Sequence, residues 1–406
     1  MTIQEQSSSV IYDFILYGAS SFVGQIMVEY LAGYKGEDFT WAMAGRSESK
    51  LLELKQRFQL NDIPHFVADA DDEAGLAELC RQAKAIVSTV GPYALYGEML
   101  VKTCAQSGTD YCDLTGEPQW IKHMLDKYES DAKASGARII HSTGFDSIPS
   151  DLGVYKLQQI IIERTSKPAK QIKMRVRKIK GAASGGTIAS MLNVFKETKE
   201  NPALRKVLVN PYVLCPAGHP FKQRQQSHKK AQHDETLNLW TMPFVMAAIN
   251  ERIVHRSNAM QDYRYGENFL YDEAMTAKTG FQAWMFTLSL GAFMLAASVS
   301  PLRKLLANYV LPKPGEGPSP EQQLNGMFDM RFYADSSNGE SLVLKVEGDR
   351  DPGYGSTGKM LAQSVLCLAK DIPELGGGFW TPASALNDPL IERLAKHAGV
   401  TVELME

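Results

Sequence analysis

Apolar and polar positions in the first 150 residues alternate in blocks that predict strands and helices in turn. Residues 11–17 form a mostly apolar run of strand length, and the apolar positions of residues 23–31 follow the i, i+3, i+4 spacing of one helical face. Further strands are predicted at residues 39–44, 65–68, 85–90, 110–113 and 138–141. The intervening helices are predicted at residues 50–58, 73–81, 97–107 and 119–135. Such alternation is typical of an α/β domain with a doubly wound parallel sheet, here over residues 10–150.

The pattern changes near residue 147, where Ser147 and Pro149 are suited to begin a helix that we expect to run to residue 163. Beyond it, strand-like runs at residues 172–179 and 237–244 are separated by longer irregular stretches. Two more runs, at residues 328–335 and 341–347, flank Asn338 and Gly339, a pair typical of a hairpin turn. Residues 151–353 therefore predict a second, α+β domain built on a mixed or antiparallel sheet.

Three other parts of the chain differ in composition from these two domains. Residues 1–9 are a polar tail, and residues 311–320 contain enough Pro and Gly to act as a rigid connector. Residues 354–406 predict helices at 354–370 and 388–398 and a short strand at 401–404. We expect this C-terminal part to pack back on the first domain.

One long segment, residues 279–302, contains no charged side chain and is bracketed by Lys278 and Arg303. Its length matches a bilayer span, although Thr, Ser, Gln and Gly dilute its hydrophobicity. Three interpretations remain open at this point. The segment is a membrane span, a helix attached peripherally to a membrane or another lipid surface, or a buried helix in the core or in a dimer interface.

Composition excludes several classes of protein. The chain has 43 Lys and Arg against 46 Asp and Glu, a net charge of −3, so it lacks the basic excess of a general nucleic-acid binder. Its five cysteines form no CxxC pair, which argues against a disulfide framework and a cysteine-based zinc site. No signal peptide is predicted, and we expect a cytoplasmic protein. One basic segment, residues 219–233, is either a solvated loop or a docking surface for an acidic carrier protein or anionic lipid.

A turn of small residues follows the first predicted strand and opens the first helix. Small residues there let the backbone approach a pyrophosphate, whose charge is met by N–H groups at the helix N-terminus. The turn predicts dinucleotide binding by a Rossmann-type domain, and the alternative is an ordinary connection between strand and helix. Its residues are Gly18, Ala19, Ser20, Ser21, Phe22, Val23 and Gly24.

The end of the second strand indicates which dinucleotide is bound. Folds that prefer NAD place an Asp or Glu here for the ribose 2′-OH, whereas this chain has Arg46, with Ser47 beside it and Lys50 one turn on. A guanidinium binds a 2′-phosphate in bidentate geometry, so the sequence favours NADPH over NADH. The alternative is that Arg46 is a solvated residue at the helix start. Asp69, after the third strand, is expected either to bind the adenine or to cap the next helix.

The loop after the fourth strand is expected to lie beside the nicotinamide, because ligands bind at the carboxyl ends of parallel strands. Tyr93, in this loop, is our nominated proton donor, and the alternative is a structural tyrosine with a satisfied hydroxyl. The residues expected to contact the cofactor here are Thr89, Val90, Gly91 and Pro92.

Polar side chains follow the next two predicted strands and face the same crevice. They include Asp113 after one strand and His141 and Asp146 after the other. An acid and an imidazole side by side support acid–base chemistry, and the alternative is a network of loop caps and turns. No metal is predicted, because His141 has no partner at metal-ligand spacing.

With these residues in view, the chain resembles the saccharopine dehydrogenase-like oxidoreductases and, among them, the trans-acting enoyl reductases. Matching segments run from residue 13 to about 386 and cover nearly the whole chain. One departure is Ser21, where the family commonly has Gly. The segments include DFILYGASSFVG, AMAGRS, STVGPYALYG, GTDYCDLTGEP, ARIIHSTGFDSIPSDLGVY, SGGTIASML and GDRDPGY.

The resemblance implies an NADPH-dependent reductase with a second domain for substrate and homodimer contacts. Its relatives reduce a carbon–carbon double bond in acyl chains of lipid or polyketide-type metabolism. The substrate would be a small or carrier-bound α,β-unsaturated thioester, with hydride delivered to the β-carbon and Tyr93 or Asp146 as the acid. Backbone N–H groups near residues 91–93 would polarise the thioester carbonyl.

Two other functions remain open. A saccharopine dehydrogenase-like enzyme acting on an amino-acid imine would need an arginine-rich pocket for its carboxylates. The second half of the chain contains Arg175, Arg177, Arg252 and Arg256, although strand periodicity alone accounts for their spacing. The other function is a sensor or lipid-surface scaffold that binds NADPH without turning it over, since no residue pattern identifies the catalytic acid.

Overall fold

The computed structural model describes residues 11–181, 185–309 and 317–405. Its strands, in chain order, are β1 (Tyr12–Tyr17), β2 (Trp41–Gly45), β3 (His65–Val67), β4 (Ala83–Ser88), β5 (Asp110–Asp113), β6 (Arg138–Ile140), β7 (Gln171–Lys180), β8 (Gln232–Asp234), β9 (Leu239–Met242), β10 (Leu270–Ala277), β11 (Met327–Asp335), β12 (Ser341–Gly348), β13 (Gly378–Trp380) and β14 (Val400–Met405).

Helices connect these strands. They are α1 (Phe22–Ala32), α2 (Glu48–Arg57), α3 (Glu73–Gln82), α4 (Tyr93–Tyr96), α5 (Glu98–Ser107), α6 (Pro118–Ser135), α7 (Ile148–Thr165), α8 (Gly185–Glu200), α9 (Leu204–Val209), α10 (Ala247–Met260), α11 (Gly280–Ser298), α12 (Ser300–Tyr309), α13 (Pro320–Leu324), α14 (Thr357–Lys370), α15 (Pro382–Ala385) and α16 (Asn387–Arg393). Two short π-helical segments, Pro352–Ser356 and Leu394–Ala398, precede α14 and follow α16.

The first sheet is parallel throughout and has the strand order β13-β6-β5-β4-β1-β2-β3. Successive residues of β1 bury their side chains on opposite faces, with Phe14 and Leu16 in one apolar cluster and Ile15 and Tyr17 in the other. A strand buried on both faces is what a sheet covered by helices on each side requires. The α/β, doubly wound prediction for the N-terminal part is therefore confirmed.

The second sheet is mixed and has the strand order β14-β12-β11-β7-β10-β9-β8. Strand β10 runs parallel to β7, and the other pairs are antiparallel. The predicted hairpin joins β11 to β12, and Gly339 in its loop has a φ of +86°, a conformation that glycine adopts without a Cβ clash. The second domain is thus α+β, as the sequence predicts.

The C-terminal part of the chain is divided between the two sheets. Helix α14 packs against α1 and beneath strands β1, β4 and β5, and β13 extends the first sheet by pairing with β6. Strand β14, in contrast, pairs with β12 at the edge of the second sheet. The packing of α14 and β13 agrees with the expectation that this part returns to the first domain, whereas β14 joins the second sheet.

Two local expectations also change. Ser147 stands at the start of α7, but its hydroxyl donates to Asn250 Oδ1 at 3.2 Å and does not cap the helix. The polar tail at residues 1–9 lies outside the described residues, as does the first part of the connector, residues 311–316. The last residue of the connector, Pro320, begins α13, and Ser319 and Gln322 form the capping box of this helix.

Candidate cofactor and catalytic site

The turn between β1 and α1 is built for close backbone approach. Gly18 has a φ of +88°, and a Cβ there would lie 2.5 Å from Val90 Cγ2. Gly24 lies in the first turn of α1, where a Cβ would be 2.2 Å from the carbonyl oxygen of Gly18. Ala19 and Val23 are buried beside them. Both outer glycines are therefore required by the geometry that holds the turn against the loop after β4.

Ser21 fits this turn although it stands where the family commonly has Gly. Its backbone is extended, with φ −68° and ψ 166°, so no positive φ has to be accommodated. The hydroxyl accepts from the Gly24 N–H at 2.9 Å and donates to Thr89 Oγ1 at 2.9 Å. Thr89 in turn donates to the carbonyl of Gly18 at 2.9 Å. The serine thus caps α1 and ties the turn to the neighbouring loop.

The same turn leaves backbone donors available for an anion. Among the described residues, the N–H groups of Ser20, Phe22 and Val23 have no acceptor. Such unpaired donors at a helix N-terminus, together with the helix dipole, attract a pyrophosphate. Ser20 and Phe22 are partly exposed, so the donors lie at the surface of the crevice. The residues of the turn therefore fit the phosphates of a dinucleotide.

The residues at the end of β2 present positive charge to solvent. Arg46 and Lys50 are exposed, and among the described residues neither forms an ion pair or a side-chain hydrogen bond. Ser47 is the residue before α2, and its hydroxyl lies 3.1 Å from that of Ser49 without capping the helix. An unpaired guanidinium beside a hydroxyl and an amine fits a ribose 2′-phosphate.

Asp69 is exposed after β3, where its carboxylate accepts from the neighbouring Ala70 N–H. The alternative that it caps the following helix is wrong. Asp72 is the N-cap of α3, and its carboxylate accepts from the Gly75 N–H at 3.0 Å. Asp69 therefore remains free to face an adenine, and that role stays a prediction.

The loop after β4 is fixed in place by a buried carboxylate that sequence reasoning did not single out. Glu117 accepts from the backbone N–H groups of Tyr93 and Ala94, each at 3.0 Å, and from the hydroxyl of Ser190 at 2.8 Å. Ser190 belongs to α8, so this carboxylate joins both domains beside the loop. Burial raises the pKa of Glu117 above its usual range. Val90, Gly91 and Pro92 are left at the open side of the crevice.

These contacts correct the expected source of carbonyl stabilisation. Pro92 has no N–H, and the N–H of Tyr93 is already donated to Glu117. Of the expected donors at residues 91–93, only the N–H of Gly91 has no acceptor within the described part of the chain. A single backbone donor, rather than a cluster, is therefore available in this loop.

Tyr93 has the geometry of a structural residue. Its side chain is buried, its ring lies 5.4 Å from that of Trp120, and its hydroxyl donates to the carbonyl of Ser88 at 2.9 Å. Burial raises the pKa of this phenol well above its usual value. A phenol enclosed in the core and bonded to the main chain is unsuited to protonating a substrate, so the geometry argues against our nomination of Tyr93.

Asp113 and His141 are in contact, as expected, but both lie in the protein interior and not at the crevice. His141 Nδ1 lies 2.7 Å from Asp113 Oδ2, and the same carboxylate accepts from the Tyr111 hydroxyl at 3.0 Å. It also accepts from the backbone N–H groups of Thr115 and Ser142. Both side chains are buried, which favours the alternative of a structural network that ties the loops after β5 and β6.

Asp146 differs from the other acids of this region. It is partly exposed at the carboxyl edge of the first sheet, and its carboxylate has no hydrogen-bond partner among the described residues. It faces the Gly116 backbone, since a Cβ on that glycine would lie 3.9 Å from the carboxyl carbon. Burial and the nearby charge of Asp113 raise the pKa of Asp146 to about 7. Its carboxyl group therefore exchanges a proton near neutral pH.

The loop that carries Asp146 is held by the C-terminal part of the chain. Thr357 Oγ1, at the start of α14, accepts from the backbone N–H of Phe145 at 3.0 Å. Nearby, the rings of Tyr354 and Phe22 meet edge to face with centroids 5.0 Å apart. The start of α14 thus holds the Asp146 loop through Thr357, and the segment before α14 contacts the phosphate turn through Tyr354. The sequence carries a signal for this segment only in the motif GDRDPGY.

Comparison with known proteins agrees with this geometry. Residues 14–140 match the saccharopine dehydrogenase NADP-binding domain. The chain is 38% identical to a Mycobacterium tuberculosis protein named provisionally as a trans-acting enoyl reductase, over 97% of each chain. It is 34% identical to the trans-acting enoyl reductase of Mycobacterium ulcerans, over 96% of this chain and 97% of the relative. The chain belongs to the trans-acting enoyl reductase branch of the saccharopine dehydrogenase-like family.

Solved structures support the same fold at low sequence identity. Saccharopine dehydrogenase from Saccharomyces cerevisiae aligns with a TM-score of 0.56 at 13% identity, over 97% of this chain and 99% of that one. Homospermidine synthase from Legionella pneumophila, in complex with NAD, aligns with a TM-score of 0.51 at 9% identity, over 97% of this chain and 91% of that one. As a member of this family, the protein is an NADP-dependent oxidoreductase, and NADPH is its cofactor.

The arginines that suggested an imine substrate are engaged elsewhere. Arg175 is fully buried and pairs with Asp272 at 2.7 Å and Asp234 at 3.0 Å. Arg252 and Arg256 donate to backbone carbonyls, those of Ala248 and Leu208 for the first and of Leu214 and Phe379 for the second. Arg177 is exposed on β7. Three of the four guanidiniums are therefore unavailable to substrate carboxylates.

Proposed function

We propose that the protein reduces the carbon–carbon double bond of an α,β-unsaturated acyl thioester with NADPH. The observation that carries the proposal is Asp146, a carboxyl group at the open edge of the first sheet with a pKa of about 7 and no partner within the described residues. Such a group is able to hold and release a proton at neutral pH. The family relationship supports the choice of substrate, because its named relatives are enoyl reductases.

The phosphate turn and Arg46 would hold NADPH, which would supply a hydride for the β-carbon. Asp146 then donates its proton to the α-carbon, and the new C–H bond completes the saturated product. The carboxylate that remains recovers a proton from water, since Asp146 is partly exposed. One hydride and one proton are added, and no other reactant is required.

The loop after β4 holds the reacting group in place. Glu117 fixes the backbone at Tyr93 and Ala94, so the N–H of Gly91 keeps one position at the crevice. We propose that this N–H donates to the thioester carbonyl, whose oxygen gains negative charge as hydride reaches the β-carbon. The buried carboxylate of Glu117 also accepts from Ser190 of α8, so a contact from the second domain supports the position of this loop.

The experiment is to follow NADPH fluorescence with the purified protein, first alone and then with a trans-2-enoyl thioester of medium chain length. Binding followed by oxidation of NADPH and formation of the saturated thioester is expected. Binding without oxidation of any enoyl thioester would contradict the proposal and favour the sensor interpretation. Absence of NADPH binding would contradict the cofactor site itself.

A further inference from the structure

Helix α11 carries a continuous apolar stripe that the described part of the chain leaves uncovered. Phe281, Leu288 and Leu295 on this stripe are 76%, 62% and 68% exposed. The positions follow the i, i+3, i+4, i+7 spacing of one helical face, and no charge interrupts them. We use the name apolar stripe for the six side chains Phe281, Trp284, Met285, Leu288, Leu295 and Val299. Leu302 and Leu305 of α12, both exposed, continue it.

The opposite face of α11 is also apolar, and it packs on the second sheet. Ala283 and Ala297 are fully buried, and Gly280 lies against the ring of Trp240 in β9, where a Cβ would be 2.8 Å away. The helix contacts β9, β10 and α8 along this side. A surface helix of a soluble domain normally has one polar face, so an apolar outer face indicates a partner surface.

The helix does not need to cross a bilayer to find that partner. By length and composition it is the one helix within the described residues that is able to span a membrane. However, the chain leaves the second sheet at the end of β10 and returns to the same sheet at β11. The segment between β10 and β11 therefore starts and ends at the same sheet, on one side of any membrane. If α11 crossed a bilayer, it would lose its contacts with β9 and β10.

Positive charge lies near the N-terminal end of α11. Lys278 is exposed immediately before α11. Residues 222–230 contain no acid, and they lead into β8, which contacts α11. Exposed acids close to this segment are Glu235, in the turn after β8, and Glu267, next to the Asn268 that accepts from Gln223. The exposed cations of the segment are Lys222, Arg224, Lys229 and Lys230.

A second copy of the chain is a weaker candidate for the occupant. The stripe and its continuation on α12 contain eight large exposed side chains, and this surface is only as wide as a single helix. A stable protein interface uses roughly 20–30 residues on each side, with a polar rim around an apolar centre. A narrow apolar row with exposed cations near one end and a half-exposed Trp284 is instead the composition of a helix that lies in a membrane interface.

We propose that the apolar stripe docks on an anionic lipid surface, with α11 lying in the plane of the interface and Lys278 and the segment 222–230 contacting the headgroups. The large side chains of the stripe would enter the boundary between headgroups and acyl chains. The cations would make attachment depend on anionic lipid and on salt. This inference does not rest on the proposed acyl substrate, because it follows from the outer face of α11 and the cations near that helix.

The test is flotation of the full chain with vesicles of phosphatidylcholine, alone or mixed equally with phosphatidylglycerol. We expect binding to the mixed vesicles, at least tenfold weaker binding to pure phosphatidylcholine, and weakening with added salt. The double variant Leu288→Gln with Leu295→Gln should lose at least tenfold in binding to mixed vesicles. The matched control is Leu324→Gln on α13, another exposed leucine, which should bind as the unmodified protein does.

Brominated lipid locates the helix directly. Tryptophan fluorescence should be quenched on binding, and most of that quenching should disappear in Trp284→Phe. NADPH binding by every variant confirms that the fold is kept, and failure to reduce a thioester would leave the vesicle result unchanged.

Several outcomes would overturn the proposal. They are no flotation with either vesicle, unchanged flotation of the double variant, or a dimer in sedimentation velocity that only the stripe variant dissociates. Equal binding to neutral vesicles would overturn the role given to the basic segment.

Discussion

Replacement of Asp146 by asparagine should lower activity and raise stability in the same protein. The carboxyl group is held where burial and Asp113 raise its pKa from 3.8 to about 7. At neutral pH the protonated form is available to a substrate, and the charged form is disfavoured by its surroundings. Asparagine keeps the size of the side chain and removes both the proton and the charge.

The effect on stability follows from linkage. The folded state binds the Asp146 proton more tightly than the unfolded state, so the unmodified protein is progressively destabilised as pH rises from about 4 to about 7. A shift of about three pKa units corresponds to about 4 kcal/mol, which is an upper bound because the carboxyl is partly exposed. Asp146→Asn should therefore gain stability relative to the unmodified protein across this window and change little below pH 4.

The effect on activity has the opposite sign. If Asp146 is the donor, kcat should fall about tenfold per pH unit above about pH 7, because the protonated fraction falls at that rate. Asp146→Asn should lose roughly 10²–10⁴-fold in kcat and lose this limb of the pH profile, with NADPH affinity unchanged. The assays are urea denaturation between pH 4 and 8 and initial rates with a trans-2-enoyl thioester.

Asp151 provides the matched control for the activity measurement. Its pKa is also raised to about 7 by burial, but its carboxylate, in α7, accepts from the Ser257 hydroxyl of α10 and the Ala383 N–H of α15. Asp151→Asn should therefore keep kcat within a few-fold and keep the pH limb. An Asp146→Asn protein that retains both kcat and the fall above pH 7 would refute the reasoning.

Two further predictions concern the cofactor site. Arg46→Ala should weaken NADPH binding roughly 10–100-fold, equivalent to the loss of charged hydrogen bonds, and leave NADH binding unchanged. Arg57→Ala, at the last residue of α2, should alter neither affinity, and fluorescence titration measures both. Gly24→Ala should lower NADPH affinity at least tenfold and cost about 1–3 kcal/mol of stability by overpacking, because its Cβ would lie 2.2 Å from the Gly18 carbonyl. The control Gly33→Ala, whose Cβ would find no atom closer than 3.8 Å, should change neither property, and equal losses in both variants would contradict the packing argument.

The first sheet was predictable because its information is local. A buried strand, a turn and an amphipathic helix each leave a period in the sequence, and β5 lies at residues 110–113 as expected. The last strand of that sheet was not predictable in the same way. β13 has three residues after two glycines, too few for any period, and it exists because it pairs with β6. Its position depends on the return of the chain, which no local pattern encodes.

The candidate site divides along the same line. The phosphate turn and Arg46 follow from position after a strand, and their backbone geometry is what the sequence predicts. The direction of a side chain is a different matter. Tyr93 and Asp146 both follow strands of the first sheet. The Tyr93 phenol points into the core and bonds to Ser88, whereas the Asp146 side chain stays partly exposed at the crevice. Packing partners such as Trp120 decide this, and they come from another helix.

The arginines of the second domain show how composition alone misleads. Four guanidiniums in one half of a chain are compatible with a pocket for carboxylates. Arg175, however, is neutralised by Asp272 and Asp234, which the second sheet brings to it from strands β10 and β8. A buried charge must be paired, so an arginine at an inward strand position predicts an internal acid before it predicts a ligand.

Helix α11 is the complementary case, in which the sequence leaves several interpretations open and the structure limits them. The absence of charge in residues 279–302 leaves a membrane span, a surface helix and a buried helix open, with the span least favoured because polar residues dilute the hydrophobicity. Ala283 and Ala297 are buried on one face of α11, the helix contacts β9 and β10, and the return of the chain to β11 places both ends of the excursion on one side. The outer face of α11 consists of large apolar side chains, with exposed cations near one end. Exposing this face to water costs free energy, and contact with a lipid surface would remove that cost.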